Sequence, residues 1–128
     1  MITLDAGVLI ALFDALDAHH EAAEALLAAN IGKDDLTIGP INQAEVLVRA
    51  AREGRDQQMA SDLVALGVCI TALPHDAGPR LARLRATTSA KMPDCCVLLT
   101  AQQTGSRIAT FDVRLAEAAT GLGLELVR

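Results

Sequence analysis

The sequence predicts an α/β domain with a mainly parallel central sheet of four to five short strands. Short apolar segments alternate with longer segments of helical periodicity along the whole chain, which is typical of this class. The first segment, Ile2-Thr3-Leu4, is apolar on both faces, as in the interior strands of a parallel sheet. No repeat, linker or low-complexity tract interrupts the pattern, so we expect residues 1–128 to form one domain.

The elements follow one another with glycine or proline at most boundaries. Five segments have the composition of strands: 2–5, 36–39, 68–71, 107–110 and 124–127. Seven segments have the periodicity of helices: 7–13, 19–30, 41–53, 56–66, 74–88, 91–105 and 113–120. Pro40 separates the second strand from its helix, while Gly54 and Gly105 are expected to end helices.

Composition limits the functions that the chain can have. Aromatic residues make up 2% of the sequence, and Trp and Tyr are absent, which argues against nucleic-acid recognition by aromatic stacking. The net charge of −5 is unusual for a protein that binds phosphates. If four acids hold metal, however, the remaining charge is −5 + 4 = −1, and each divalent cation adds two positive charges.

The cysteines and the hydropathy pattern indicate a compartment. Cys69, Cys95 and Cys96 are odd in number and two are adjacent, so no disulfide framework is expected and all three should be core or near-core thiols. The N-terminus lacks the pattern of a signal peptide, and no apolar segment approaches the roughly 20 residues of a membrane span. We therefore expect a cytoplasmic protein without membrane contact.

Four acids occupy comparable positions in the predicted fold. Asp5 ends the first strand, Glu45 lies early in the helix after the second, and Asp112 follows the fourth. Because strand ends and the helix starts after them share one edge of a parallel sheet, these three should meet. Asp94 starts a helix that leads into the fourth strand, so it reaches that edge only if its helix runs antiparallel to the strands or bends.

Each acid also has a purely structural interpretation. Asn42-x-x-Glu45 has the form of a capping box, and Asp5, Asp94 and Asp112 could stabilise helix N-termini. Four converging carboxylates would nevertheless repel one another, and a divalent cation would remove that repulsion. Mg²⁺ and Mn²⁺ prefer oxygen ligands and can activate water for attack on a phosphodiester.

Four short motifs resemble those of PIN-domain ribonucleases, in particular the VapC-type toxins of toxin–antitoxin pairs. In chain order they are Ile2-Thr3-Leu4-Asp5, the segment 41–47 around Glu45, Met92-Pro93-Asp94 and Ala109-Thr110-Phe111-Asp112. The resemblance implies a three-layer α/β/α sandwich. It also implies an endoribonuclease that uses Mg²⁺ or Mn²⁺ at an acidic site.

The resemblance assigns roles to particular residues. Asp5, Asp94 and Asp112 would be metal ligands, and Glu45 would bind metal or orient the attacking water. Apart from the resemblance, Thr110 lies two residues before Asp112 and could place a hydroxyl beside the acids, or it could be an ordinary strand threonine. Family members often carry Ser or Asn two positions after the first Asp; here Gly7 stands there, and backbone N–H groups could substitute.

Basic residues near the motifs are candidates for contacts with RNA phosphates, among them Arg49 and Lys91. The resemblance further implies an RNA substrate, a cognate antitoxin and a homodimer. Ala- and Leu-rich helices at 19–30 or 56–66 would suit such protein contacts.

Two other interpretations remain open from the sequence. In the first, the chain is a non-catalytic binding or regulatory α/β domain whose acids are helix caps. A phosphorylated receiver domain is disfavoured, because the third strand ends in Thr71-Ala72-Leu73 without an acceptor Asp. In the second, the chain is a PIN domain that has lost activity, which the presence of all four acids argues against.

Overall fold

A single parallel sheet organises the molecule, of which the computed structural model describes residues 1–127. Its strands lie in the order β3-β2-β1-β4. The strands are β1 (Ile2–Leu4), β2 (Leu36–Ile38), β3 (Val68–Ile70) and β4 (Arg107–Ala109). The helices are α1 (Ala6–Leu12), α2 (His20–Asn30), α3 (Pro40–Arg52), α4 (Asp56–Ala65), α5 (Ala77–Thr87), α6 (Met92–Thr104) and α7 (Val113–Gly121).

Strand β1 lies inside the sheet, between β2 and β4. All three of its residues are buried, in agreement with its uniformly apolar sequence. The chain proceeds from β1 to β2 and β3 on one side, then crosses to β4 on the other side of β1. The strand order therefore changes direction between β1 and β4, which is where open α/β sheets bind ligands.

The helices form a layer on each face of the sheet. Side chains of α1 to α4 pack against one face in a core that includes Leu9 and Leu63. Side chains of α5 to α7 pack in a second core that includes Leu98, Ile108 and Leu115. The predicted three-layer α/β/α fold is confirmed.

Helix α6 is the most deeply embedded helix, with all seven residues from Cys95 to Ala101 buried. It begins with Pro93 in its first turn, where a missing N–H leaves no hydrogen bond unmade. It ends at Gly105, whose φ of 65° places it in the left-handed region that favours glycine. Contacts with β1, β4 and α3 fix the position of this helix in the domain.

The predicted fifth strand at 124–127 is wrong, because only one bridge forms there, between Ile108 and Leu126. Arg107 and Ala109 direct their peptide groups toward the β1 side, where Arg107 N donates to Met1 O and Ala109 O accepts from Asp5 N. Only Ile108 faces the other way. Because β4 has three residues and only Ile108 faces away from β1, segment 124–127 can pair with β4 at a single position.

Two other expectations need correction. The helix predicted from residue 74 begins at Ala77, since residues 74–76 form a turn closed by a hydrogen bond from Ala77 N to Pro74 O. All three cysteines are free, as expected. Cys95 and Cys96 are buried, and burial raises the pKa of both thiols. The expectation of a core or near-core position is wrong for Cys69, which is exposed on the edge strand β3.

Within residues 1–127, no helix combines the length and the apolar character that a membrane crossing requires.

Truncating the buried helix should cost far more stability than truncating an exposed one. Leu99 on α6 is fully buried, so we expect Leu99→Ala to lower the free energy of unfolding by about 2–5 kcal/mol. Val64 on α4 is 73% exposed, and Val64→Ala should change it by less than about 0.5 kcal/mol. Urea denaturation would measure both. Similar losses for the two variants would contradict the central position of α6.

Candidate active site

Asp5 and Asp112 meet where the strand order changes direction. Asp5 directly follows β1, and Asp112 follows the neighbouring strand β4. Thr110 joins them: its Oγ1 donates to Asp5 Oδ2 at 2.7 Å and accepts from the backbone N–H of Asp112 at 3.0 Å. The same hydroxyl therefore fixes one carboxylate and the turn that carries the other.

The pKa of Asp5 is raised above its ordinary value, chiefly because burial disfavours the charged form. The hydrogen bond from Thr110 acts in the opposite direction, and the charge of Asp112 raises the pKa further. The N–H dipoles of Ala6 and Gly7 lower it. The backbone N–H of Gly7 thus stabilises the charged form of Asp5, as expected for a residue without a polar side chain.

Glu45 is supported differently from the way the capping-box pattern suggests. Helix α3 begins at Pro40 with Gly39 as its N-cap, so Asn42 lies inside the first turn and makes no capping bond. Its side chain is 1% exposed, and its Nδ2 donates to Glu45 Oε1 at 2.9 Å and to the backbone O of Pro93 at 3.0 Å. The capping-box interpretation is therefore wrong. Asn42 instead connects Glu45 to the first turn of α6.

The start of α3 lies unusually close to α6. A Cβ atom on Gly39 would stand 3.0 Å from Thr100 Oγ1, so a side chain there would push the helices apart.

The Asn42 amide donates two hydrogen bonds, because both partners of its Nδ2 are oxygen acceptors. Its buried Oδ1 has no hydrogen-bond partner within residues 1–127. The amide is thus held by two donated bonds alone.

Asp94 reaches the same edge because α6 feeds directly into β4. A helix that packs antiparallel to the strand it precedes begins where the parallel strands end. The pKa of Asp94 is raised to about 6 by burial and then by the charges of Asp5, Asp112 and Glu45, while Lys91 opposes the shift. Four acids from distant parts of the chain therefore act on one another in a single cluster.

Helix capping accounts for only one of these acids. Asp112 is an N-cap, since its Oδ1 accepts from Arg114 N at 2.8 Å and from Leu115 N at 3.2 Å. Asp5 occupies the N-cap position of α1 without a side-chain cap bond. Glu45 lies beyond the first turn of its helix, and α6 has no side-chain cap. Asp5, Glu45 and Asp94 thus make no side-chain cap bond, although Asp94 lies in the first turn of α6, where the helix dipole favours a negative charge.

The donor set fits a hard divalent cation. All four side chains offer carboxylate oxygens, the ligands that Mg²⁺ and Mn²⁺ prefer. Among residues 1–127, no three His, Cys, Asp or Glu side chains stand close enough together to hold one ion directly. Mg²⁺ usually keeps several of its own waters, so a loosely spaced carboxylate set is compatible with it.

The two predicted basic contacts lie in different surroundings. Lys91 is exposed beside Asp94 in a cleft that also contains Asp112. Arg49 lines a separate groove between α1, α3 and α4, and its guanidinium approaches Asp14 at 3.5 Å and Glu53 at 3.8 Å.

The comparisons with known proteins agree with this geometry. The sequence of residues 2–121 matches the family described as PIN domain. The chain belongs to the PIN domain family. The resemblance found in the four motifs is thereby confirmed, and family membership supports a nuclease. No curated protein matches the chain.

Solved structures of similar fold include proteins of toxin–antitoxin systems. A toxin–antitoxin complex from Klebsiella pneumoniae has 25% identity over 89% of this chain and 88% of its own, with a TM-score of 0.74. The sarcin-ricin loop cleaving toxin VapC20 of Mycobacterium tuberculosis has 18% identity over 100% and 99%, with a TM-score of 0.78. FitAcB from Neisseria gonorrhoeae has 20% identity over 100% and 97%, with a TM-score of 0.74.

Asn42 is the residue at this PIN-domain site whose role the sequence did not predict. The three-residue spacing between Asn42 and Glu45 could have indicated their contact, because it places both side chains on the same helix face whether or not Asn42 is a cap. What separates the two interpretations is the helix start. Pro40 at the first helical position and Gly39 before it move Asn42 one turn inward.

The charge repulsion at Asp94 leads to a prediction about stability. The folded pKa of about 6 exceeds the ordinary value of 3.8, so the folded protein binds the extra proton and loses stability as the pH rises across this interval. Without divalent ions, Asp94→Asn should raise the free energy of unfolding at about pH 7.5 by about 1 kcal/mol, after allowance for solvent screening.

Urea titrations in EDTA at several pH values would measure this difference. It should shrink as the pH falls and vanish below about pH 3, where Asp94 is protonated in both states of the wild type. An Asp94→Asn protein that is less stable than the wild type at neutral pH would contradict the repulsion. Asp34→Asn is a suitable control, because Asp34 pairs with Arg107 at 2.9 Å and its loss should not stabilise the protein.

Proposed function

We propose that the protein is a metal-dependent endoribonuclease that hydrolyses phosphodiester bonds in RNA. The observation that carries the proposal is the convergence of four carboxylates at one sheet edge, three of which make no side-chain cap bond. Family membership supports the same chemistry. An acidic cluster that raises the pKa of one member to about 6 is destabilising, which favours a functional explanation.

In the proposed mechanism, Asp5, Asp94 and Asp112 would hold Mg²⁺ or Mn²⁺. A divalent ion supplies a bound water of lowered pKa and stabilises the charge that develops on the phosphate. Glu45 would orient the attacking water and accept its proton as the new P–O bond forms. The bond to the leaving oxygen then breaks, and that oxygen takes up a proton from solvent.

Two side chains would position these groups. Thr110 would hold Asp5 through the 2.7 Å hydrogen bond to Oδ2, leaving Oδ1 for the ion. Asn42 would hold Glu45 through its bond to Oε1, leaving Oε2 for water or metal. Both supports come from buried or half-buried residues, which favours a fixed geometry in the cluster.

We further propose that the nuclease is the toxin of a toxin–antitoxin pair in the cytoplasm, with a cognate antitoxin and a homodimeric state. The structural similarity to the toxin–antitoxin complex from Klebsiella pneumoniae supports an antitoxin partner. The surface also supports one. A groove of about 450 Å³ between α1, α3 and α4 includes Glu45 and exposes Ile10, Phe13 and Leu16.

The position of this groove refines the sequence expectation. Helix α4 forms one wall, as expected for residues 56–66, but helix α2 contributes no residue to it. A partner seated there would cover apolar surface and lie against Glu45 at the same time. Binding and inhibition would then be a single event.

Cleavage of RNA should require both the ion and Asp94. We expect the wild type to cut a mixed RNA pool with Mn²⁺ and not with EDTA, and Asp94→Asn to reduce the rate by at least about 100-fold. Gel electrophoresis of labelled RNA would measure this, with circular dichroism showing that the variant is folded. Equal cutting by both proteins would refute the proposal.

Asn42 should matter for activity more than for folding alone. Because Asn42→Ala removes the bond that holds Glu45, we expect a fall in kcat of about 10-fold or more at saturating Mn²⁺. Asn30→Ala is the control for loss of a hydrogen-bonded helical amide away from the cluster, since Asn30 Nδ2 donates one bond, to Leu26 O at 2.7 Å, where Asn42 Nδ2 donates two. Single-turnover cleavage and thermal melting would be measured in parallel. An activity loss no greater than that of Asn30→Ala would contradict the positioning role.

A further inference from the structure

We propose that a cleft beside the acidic cluster binds a phosphate of the RNA strand next to the one that is cut. This inference rests on the proposed nuclease function and adds to it the path of the substrate. The cleft has a volume of about 300 Å³ and is lined by Ser89, Lys91, Asp94, Asp112, Val113 and Arg114. Two of these lining residues are therefore carboxylates of the cluster, and two are cations.

Within the part of the chain that the structure describes, the two cations are not paired with a carboxylate at ion-pair distance, although the charge of Lys91 acts on Asp94. Neither Lys91 nor Arg114 takes part in any of the ion pairs found among residues 1–127. Arg49 differs, because Asp14 and Glu53 already share its charge. An exposed cation without a carboxylate partner attracts a phosphate more strongly than one that is neutralised.

The charge of the cleft suits an anion once a cation is bound. Its two carboxylates and two cations sum to −2 + 2 = 0, and a divalent ion held by the cluster makes the total positive. The first turn of the 13-residue helix α6 opens here without a side-chain cap, so its N–H dipoles add partial positive charge. The anion would thus be favoured in the metal-loaded protein.

The backbone on both sides of the cleft is fixed before substrate arrives. Thr88 Oγ1 donates to Leu84 O at 2.6 Å and accepts from Ala90 N at 3.2 Å, while Ala90 itself is 1% exposed. This anchored turn presents Ser89 and Lys91 to solvent. On the opposite side, the N-cap bond to Asp112 holds the backbone of Arg114. The backbone that carries both cations is therefore fixed, so binding has to order only their side chains.

The ligand that fits is a phosphodiester group of RNA. Lys91 supplies an ammonium, Arg114 a planar guanidinium and Ser89 a hydroxyl, all of which contact phosphate oxygens, and contacts to phosphate carry no sequence information. The cleft adjoins Asp94 and Asp112, so a phosphate held there lies beside the one at the acids. The site would therefore orient the strand without selecting its sequence.

The test compares two double variants of equal charge. Lys91→Ala/Arg114→Ala removes the proposed contacts, and Lys33→Ala/Arg52→Ala removes two exposed cations that flank the opposite edge of the sheet. Each variant shifts the net charge from −5 to −7, so a general electrostatic effect would be the same in both. Because all four side chains are exposed, neither variant should change the melting temperature appreciably.

Binding of a fluorescein-labelled oligouridine would be followed by anisotropy in Ca²⁺, with a gel to show that the RNA is intact. We expect the cleft variant to bind about 10-fold more weakly than the wild type, with a slope of log Kd against log salt smaller by about 0.7. The control variant should change affinity by less than about 2-fold.

Equal weakening by the two variants would overturn the phosphate cleft, as would a wild type that does not bind the RNA. Cleavage of RNA by the wild type in Mn²⁺ decides the proposed function separately. A wild type that cuts, beside a cleft variant that binds like the control, would reject the cleft alone.

Discussion

Asp94 keeps its proton up to a pH of about 6 because burial and three neighbouring carboxylates oppose its ionisation. This repulsion is the cost of bringing four separate chain segments to one edge of a parallel sheet. Hydrogen bonds hold two of the acids in place against it. Thr110 holds Asp5, and Asn42 holds Glu45. A divalent cation bound as proposed would attract all four carboxylates and so offset this repulsion.

The buried helix α6 is what makes this arrangement rigid. Seven consecutive buried residues fix it against β1 and β4, and the missing side chain of Gly39 lets α3 approach it closely. Asn42 then bridges the two helices at their first turns. A cluster of charged groups on flexible loops would relax by moving apart. Here the acids follow the ends of packed elements and cannot do so without disturbing the core.

Much of the fold was predictable because its strands are uniformly apolar and its helix ends carry glycine or proline. Asp5, Glu45 and Asp112 could also be located, since a parallel sheet collects strand ends at one edge. Asp94 could be assigned to the site only through the resemblance to PIN domains, because its helix precedes β4 and does not follow a strand. The fifth strand could not, because its failure depends on which way the peptide groups of β4 point. Nor could the role of Asn42, which follows from a helix start shifted by one turn. Hydrophobic periodicity predicts neither feature, because each depends on how the elements lie against one another in the folded chain.

The most direct test of this account is anomalous diffraction from crystals of the protein soaked in Mn²⁺. The account predicts an ion at the carboxyl edge of the sheet, bound by Asp5 and Asp94 with Asp112 as ligand directly or through water. Because no three acidic side chains of residues 1–127 stand close enough together to hold one ion directly, at least one of these ligands should bind it through water. The account also predicts that Thr110 and Asn42 keep their hydrogen bonds to the acids. Crystals at saturating Mn²⁺ that show no ion at this edge, or an ion held elsewhere on the surface, would contradict it.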